Sequence, residues 1–328
     1  MEIVKFWQAI SNTLSEERKK ISELIKQEDQ TKESAVFLFF SFDLSGSTIF
    51  KVEHPGLWAS VFSCFYTQIL KRLISGNYDN EDAKNNEGIC MGKLWKLIGD
   101  EVLIYVEITK LKQLYQQIII INKILGNIMD DIVTNVGEDI SNRDNSILQE
   151  EVRDIILSKL GINVTAWVAE CSRKNYRSSN IIYDSSTNFP NEYYMDFLGR
   201  DIDEGFRMAK YAAKNKIIVS PLLAWLIWKA VQEDEDNKKI VDSNFKITAF
   251  VPMKGVWRGR KVPVIMFNQH FSELVEILEY DELESETFAN VRKVGYKDFI
   301  NDERFEIKRI DSILENVHRR KEAERKYK

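Results

Sequence analysis

The sequence has few of the residues that mark specialised protein classes. Its 328 residues include only three cysteines, and their odd number and wide spacing exclude a disulfide framework and a cysteine-based zinc site. With 14 glycines and 5 prolines, it is neither collagen-like nor of low complexity. Its apolar runs are too short to cross a bilayer, and the first twenty residues become charged too early for a secretory signal. We therefore expect a cytoplasmic protein without a membrane partner.

The charge balance argues against a nucleic-acid partner. Lys and Arg number 46 and Asp and Glu 51, giving a net charge of −5. A nucleic-acid-binding domain is usually basic on at least one face, and this chain has no basic, aromatic-laced strand. The hydrophobic residues, 44% of the total, are enough for one large domain or two small ones.

Three segments are predicted. Residues 1–33 carry apolar side chains at helical spacing and are expected to form an N-terminal amphipathic helix. Residues 34–270 contain the strongest apolar runs and the densest alternation of predicted strands and helices, and are expected to form the main domain. Residues 271–328 are charged and helical in pattern, and are expected to form a C-terminal extension.

Within 34–270, helices and strands are predicted in mixed order. The run AVFLFFSFD at 35–43 predicts a strand buried on both faces, and Gly99-Asp100 between two β-rich runs predicts a hairpin. Helices are expected over 55–75, 109–136, 147–160, 200–215 and 221–233, with a loop at 137–146. Further strands are expected over 162–171, 181–184, 216–221, 246–256 and 261–267. This order favours an α+β sandwich of the βαββαβ, ferredoxin-like kind.

The first candidate site is Asp43 at the end of the first strand. A carboxylate there can hold a hard cation. The loop that follows contains Ser45, Gly46, Ser47 and Thr48 and leads into a helix, so its main-chain N–H groups can bind phosphate. An aspartate that merely caps the next turn is an equally good interpretation of this motif alone.

The second candidate is Asp100, at the tip of the predicted hairpin. Aspartate in a Gly-Asp turn usually serves the turn itself. Adjacent strand ends could, however, bring Asp43 and Asp100 to one pair of metal ions about 3.5–4 Å apart, as in many phosphoryl-transfer enzymes.

Two weaker motifs follow. In DFLGRDIDEGFR, residues 196–207, Asp203 and Arg207 are four apart on one helical face, a spacing typical of a surface ion pair worth about 0.3–0.5 kcal/mol. Arg207 would suit a triphosphate if that helix begins beside one. Lys254-Gly255, after a strand, is by itself an ordinary solvated turn.

Together, and in this order, these motifs resemble the class III nucleotidyl cyclase catalytic domain. FSFDLSGST resembles its strand-Asp-loop, KLIGD its hairpin, and DFLG with DEGFR its later Asp-x-x-Gly and helix motifs. IIVS at 217–220 and the final Lys-Gly complete a resemblance that covers about residues 34–268.

The resemblance implies a role for each residue. Asp43 and Asp100, with the main-chain carbonyl of Leu44, would bind two divalent cations per site, Mn²⁺ or Mg²⁺. The remaining residues would bind the nucleotide: the Ser45–Thr48 loop its β- and γ-phosphates, Arg207 its α-phosphate, Lys254 a further phosphate, and Lys96 with Asp196 its base. Asp203 stands where the family has an asparagine; it too is expected at the nucleotide site, but an acid beside a transferring phosphoryl group implies a role different from the family's.

The forms FSFDLSGST and GRDIDEGFR, with long flanking helices, look most like the pyrimidine cyclases of the bacterial Pycsar anti-phage system. That likeness implies conversion of UTP to cyclic UMP in a head-to-tail homodimer with its sites at the interface, and a downstream effector that reads the product. A lysine donor and an aspartate acceptor suit several bases, so cytidylate and adenylate cyclases remain alternatives. A degenerate, nucleotide-binding sensor domain is a further one.

Overall fold

The computed structural model describes residues 34–74, 92–143, 148–173, 178–184, 195–231, 244–253 and 261–267. The predicted N-terminal helix, the predicted C-terminal extension and Lys254 lie outside these residues.

The fold is organised around one long strand, β1 (Ser34–Ser45). Leu38, Phe39 and Phe42 in this strand have no exposed surface. Successive side chains of a strand point to opposite faces, and β1 accordingly contributes its even-numbered residues to one core and its odd-numbered Phe37 and Phe39 to another. The predicted burial on both faces is confirmed.

In the described part of the chain, nine strands form one sheet. After β1 come β2 (Lys93–Ile98), β3 (Glu101–Glu107), β4 (Gly161–Ser172), β5 (Asn180–Asp184), β6 (Met195–Gly199), β7 (Ile217–Val219), β8 (Phe245–Pro252) and β9 (Lys261–Phe267). The first four lie in the order β2-β3-β1-β4 and are antiparallel throughout. With helices after β1 and after β3, this is the predicted βαββαβ core.

Six helices are described: α1 (Ser47–Glu53), α2 (Trp58–Leu73), α3 (Lys112–Arg143), α4 (Gln149–Lys159), α5 (Arg200–Ala209) and α6 (Pro221–Ala230). α2 and α3 pack side by side and bury their apolar stripes in the core formed by the even-numbered residues of β1. None of the helices in these ranges combines the length and the apolar composition needed to span a bilayer.

The second face of the sheet is aromatic and carries α5. Phe39 stacks on Trp167 of β4 with ring centroids 5.5 Å apart, and Phe206 of α5 lies 5.6 Å from the same indole. Gly205 is pressed against Trp167, because a Cβ at this glycine would lie 2.2 Å from the indole ring. This contact fixes α5 against the sheet.

The sheet continues beyond the core on the β4 side. β7 pairs in parallel with β4 and antiparallel with β9, which in turn pairs with β8. The predicted pairing of the last two strands is therefore confirmed. β5 and β6 form a hairpin that joins the end of β4 through the pair Ser172 and Ile181.

Two predicted boundaries are wrong, and one strand was missed. α3 continues to Arg143 through the expected loop, because Val136 and Ile140 keep an apolar stripe at helical spacing in the core. The helix expected over 200–215 ends at Ala209, and the turn that follows contains Asn215 in a left-handed conformation, φ 58°. β6 was not predicted, since its five residues are too few to show a strand pattern.

Candidate active site

Asp43 lies in a row of polar side chains that crosses the sheet at the end of β1. It is opposite Glu101 on β3 and opposite Asn163 on β4. Residues opposite each other on neighbouring strands share a face, and Asn163 Nδ2 donates to Asp43 Oδ2 over 3.5 Å. This face is the one that carries Phe39 and Trp167 further along the same strands.

Asp100 lies beside this row, at the tip of the β2–β3 hairpin. Gly99 adopts the left-handed φ of 63° in this turn. The N–H of Leu44 donates to the main-chain carbonyl of Asp100 over 3.2 Å, and the Ser47 hydroxyl donates to its carboxylate. On the other side, the Tyr66 hydroxyl of α2 donates to the carbonyl of Gly99. Two contacts therefore hold Asp100 against the β1–α1 corner, and the third ties the Gly99-Asp100 turn to α2.

The carboxyl of Asp43 is in an unfavourable place for a negative charge. Burial, followed by the charges of Asp100 and Glu101, raises the pKa of Asp43 to about 6, although the hydrogen bond from Asn163 opposes the shift. Burial also raises the pKa of Glu101, which accepts a 2.5 Å hydrogen bond from Ser41. A cation bound here would relieve this crowding of acids.

The oxygen atoms around Asp43 and Asp100 fit a hard divalent cation. Carboxylate and carbonyl oxygens are the ligands that Mg²⁺ and Mn²⁺ prefer. The buried Oδ1 of Asn163, beside Asp43, accepts no hydrogen bond from the described residues. The same residues contain no group of three or more His, Cys, Asp and Glu side chains around one point. The two carboxylates would therefore need main-chain or water oxygens as well, and the carbonyl of Leu44 is the nearest in sequence.

The predicted Ser45–Thr48 loop is shorter in the structure, because Ser45 ends β1, Gly46 makes a tight turn, and Ser47 and Thr48 begin α1. Gly46 has a φ of 79°, and a Cβ there would lie 2.2 Å from the carbonyl oxygen of Lys159, so only glycine fits. Ser47 is buried and its hydroxyl is engaged with Asp100, whereas Gly46 and Thr48 are exposed. The exposed part of the loop therefore offers its main chain and the Thr48 side chain to a ligand.

The two residues predicted to bind the base contact each other. Lys96 Nζ lies 2.7 Å from Asp196 Oδ2, with 26% and 15% of the two side chains exposed. The pair links β2 to β6. It combines a donor with an acceptor at the surface, as recognition of a nucleobase edge requires.

The remaining predicted residues lie on α5 or outside the described chain. Asp203 and Arg207 are both exposed on α5. The neighbouring Asp201 is instead buried, and it exchanges two hydrogen bonds with Asn180, of 2.8 and 2.9 Å. This exchange ties the start of α5 to the β5–β6 hairpin.

Sequence reasoning missed Glu101, Asn163 and Trp95. Glu101 follows Asp100 directly in KLIGDE, and antiparallel pairing of the two strands would have placed it opposite Asp43. Asn163 is a polar residue between the buried Ile162 and Val164 near the start of β4, which is a usable signal. Trp95 donates its indole N–H to Asp196, and no sequence pattern marks that contact.

Comparison of the sequence with protein-family models and with curated proteins finds no match. Among solved structures, the chain is similar to the adenylyl cyclase CyaB from P. aeruginosa, with 14% identity, 74% of this chain and 97% of that one covered, and a TM-score of 0.41. It is also similar to adenylate cyclases from Trypanosoma brucei in their monomeric state (14% identity, 73% and 92% covered, TM-score 0.44). A third similar structure is the guanylyl cyclase Cya2 (13% identity, 71% and 91% covered, TM-score 0.42). TM-scores of this size mark a loose correspondence of chain traces.

Replacing Asp43 by asparagine should stabilise the metal-free protein at neutral pH. The pKa of about 6 exceeds the ordinary 3.8, so the folded state binds the proton more tightly than the unfolded state does. The wild-type free energy of unfolding therefore falls as the pH rises through this window, whereas Asp43→Asn has no such proton to lose. After allowance for the carboxylate's partial exposure, the variant's advantage should reach about 1 kcal/mol above the folded pKa.

Urea unfolding in a chelator, repeated at several pH values across this window, measures the effect. Added Mn²⁺ should reverse the order, because a cation that binds only the folded wild type stabilises it. A wild type that is the more stable protein at neutral pH without metal would contradict the prediction.

Proposed function

We propose that this chain is a nucleotidyl cyclase that converts a nucleoside triphosphate, preferably UTP, into a 3′,5′-cyclic nucleotide and pyrophosphate. The observation that carries the proposal is that Asp43, at the end of β1, meets Asp100, at the tip of the β2–β3 hairpin. Strand β2 of this hairpin carries Lys96. Lys96 is opposite Leu103, which shares the Asp43 face. One face thus offers acids for cations and, with Asp196, a polar pair for a base.

In the proposed mechanism, Asp43, Asp100 and the Leu44 carbonyl hold two divalent cations, Mg²⁺ or Mn²⁺. Such cations, when bound, lower the pKa of a coordinated hydroxyl and offset the charge of phosphates. The chain's own groups orient the substrate: Lys96 and Asp196 bind the base, and the Ser45–Thr48 loop binds the β- and γ-phosphates.

The bond changes are those of an internal phosphoryl transfer. The ribose 3′-oxygen bonds to the α-phosphorus, the bond from that phosphorus to the β-phosphate oxygen breaks, and the hydroxyl proton passes to solvent as pyrophosphate leaves. Arg207 and Lys254 stabilise the negative charge that develops on the phosphates. Arg207 is suited to this because its guanidinium is exposed on α5 and always charged.

We further propose a head-to-tail homodimer, in which the carboxylates of one copy face the base-binding pair of the other. Two exposed apolar side chains support it: Ile98, 48% exposed, precedes the Gly99-Asp100 turn, and Leu198, 47% exposed, lies on the strand of Asp196. A partner copy seated there would remove both side chains from water, which is favourable by about 25 cal/mol per Å² of apolar surface. Sedimentation of the full chain gives the oligomeric state directly.

The preference for UTP, and a role for cyclic UMP as a second messenger in anti-phage defence, follow from the resemblance of FSFDLSGST and GRDIDEGFR to the Pycsar pyrimidine cyclases. In that role a separate effector reads the product. The Lys96–Asp196 pair supports recognition of a base edge that offers a donor beside an acceptor.

The test is to incubate the full chain with ATP, GTP, CTP or UTP and Mn²⁺, and to identify products by mass spectrometry. Cyclic UMP as the main product is the expected result. Cyclic CMP or cyclic AMP would retain the cyclase but overturn the UTP preference. No cyclic product from any nucleotide would overturn the cyclase, and intact nucleotide binding would then favour a sensor domain.

A further inference from the structure

Two consecutive residues of β2 reach the same carboxylate. Neighbouring strand residues normally point to opposite faces of a sheet. The pairing of β2 with β3 is shifted between Leu94 and Lys96, so Trp95 is the extra residue of a β-bulge. Because of this bulge, the Trp95 indole N–H and the Lys96 ammonium both bind Asp196.

These contacts fix the Asp196 carboxylate in one orientation. Its Oδ1 accepts hydrogen bonds from Trp95 Nε1 at 3.1 Å and from the Phe197 N–H at 2.8 Å. Its Oδ2 accepts from Lys96 Nζ at 2.7 Å. Lys96 Nζ also lies 5.1 Å from the centroid of the Trp95 ring, within the range of a cation–π contact.

The indole itself is held on several sides by aromatic rings of the second face. Its centroid lies 5.4 Å from that of Phe39, 5.2 Å from that of Phe197 and 5.7 Å from that of Phe206. Phe39 and Phe197 are buried. A side chain packed in this way holds its hydrogen-bonding partner in place, because its own rotamer is restricted.

We propose that Trp95 is a positioning residue that determines base specificity, by fixing the order in which Lys96 and Asp196 present donor and acceptor. This inference rests on the proposed function. Uracil offers an exocyclic carbonyl acceptor beside a ring N–H donor, whereas cytosine offers an exocyclic amino donor beside a ring-nitrogen acceptor. A pair held in one order matches one of these edges and leaves polar groups unpaired against the other. An Asp196 carboxylate that is free to rotate would bind both uracil and cytosine.

The test measures binding without turnover, using 3′-deoxy-UTP and 3′-deoxy-CTP, which lack the attacking hydroxyl. Trp95→Phe keeps a packed ring but removes the N–H. It should lower the ratio of the dissociation constant for 3′-deoxy-CTP to that for 3′-deoxy-UTP about tenfold. This is the loss expected when one hydrogen bond to a charged group is removed.

The reactive nucleotides give a second readout. The difference in KM between UTP and CTP should become smaller, while kcat for the preferred nucleotide stays within about twofold. Trp58→Phe on α2 is the matched control and should keep the wild-type ratio.

A double-mutant cycle shows whether Trp95 acts through Asp196. In an Asp196→Asn background, Trp95→Phe should change the ratio by less than about twofold, because the partner is already altered. An unchanged ratio in Trp95→Phe alone, or a wild type that does not discriminate, overturns the inference and leaves the cyclase proposal intact. Discriminating binding without any cyclic product overturns the cyclase instead, and the role of Trp95 is still decided by the ratio. A wild type that binds neither nucleotide overturns both.

Discussion

Asp43→Asn and Asp100→Asn should each reduce cyclic-nucleotide formation at least about a thousandfold. Each change removes one of the two carboxylates proposed to hold the cations, and the charge stabilisation that such a site supplies to phosphoryl transfer is worth several kcal/mol. Asparagine has nearly the shape of aspartate, so the Ser47 hydrogen bond to residue 100 and the Asn163 contact to residue 43 keep an oxygen acceptor. Initial rates with saturating Mn²⁺ and nucleotide measure the effect.

Asp154→Asn is the matched control, because it removes one negative charge from the exposed face of α4. It should retain wild-type activity. Thermal unfolding of all three variants separates loss of chemistry from loss of fold, since the Asp43→Asn protein should unfold at a higher temperature than the wild type without metal. Turnover by either active-site variant within tenfold of wild type would remove that carboxylate from the proposed mechanism.

Gly205→Ala should destabilise the protein by about 3 kcal/mol. The added Cβ would lie 2.2 to 2.6 Å from three atoms of the Trp167 indole. Trp167 cannot move aside, because it is 1% exposed and stacks on Phe39 with only 10° between the ring planes. The helix must shift instead, and Arg207 shifts with it. Thermal unfolding should show a decrease of roughly 6–9 °C in the midpoint, accompanied by lower activity.

Gly126→Ala, which also lies in a helix, should change the stability of the protein in the opposite direction. Gly126 is exposed on α3, and a Cβ there would meet nothing within 4 Å. Alanine favours the helix over glycine by about 1 kcal/mol, so this variant should be more stable than the wild type. A Gly205→Ala protein as stable as the wild type would contradict the close packing of α5 on Trp167.

Local pattern was sufficient to predict the centre of this fold. Residues 35–40 of this run are apolar on both faces, and β1 is indeed buried on both. The Gly99-Asp100 turn likewise predicted the β2–β3 hairpin, because glycine supplies the positive φ that the turn adopts. Both elements depend on short-range chemistry that a single sequence displays.

The rest of the candidate site depends on contacts between distant residues. Asp196 lies on a five-residue strand whose pattern is too short to recognise, and its partners on β2 are about a hundred positions away. The bulge that turns Trp95 and Lys96 to one side is set by pairing with β3, not by their own propensities. The raised pKa of Asp43 depends on burial and on two other acids, neither of which the motif around Asp43 contains.

The placement of the two proposed halves of the site on the sheet has an evolutionary consequence. Asp43 projects from an interior strand that is buried on both faces, where a substitution disturbs one core or the other. Lys96 and Asp196 lie on β2 and β6, which are edge strands in the described part of the sheet. Edges accept substitutions and bulges far more readily than centres do. On the proposed assignment, descendants of such a chain would change their base preference through substitutions at Lys96 and Asp196 on these edge strands, while Asp43 in the interior strand is retained.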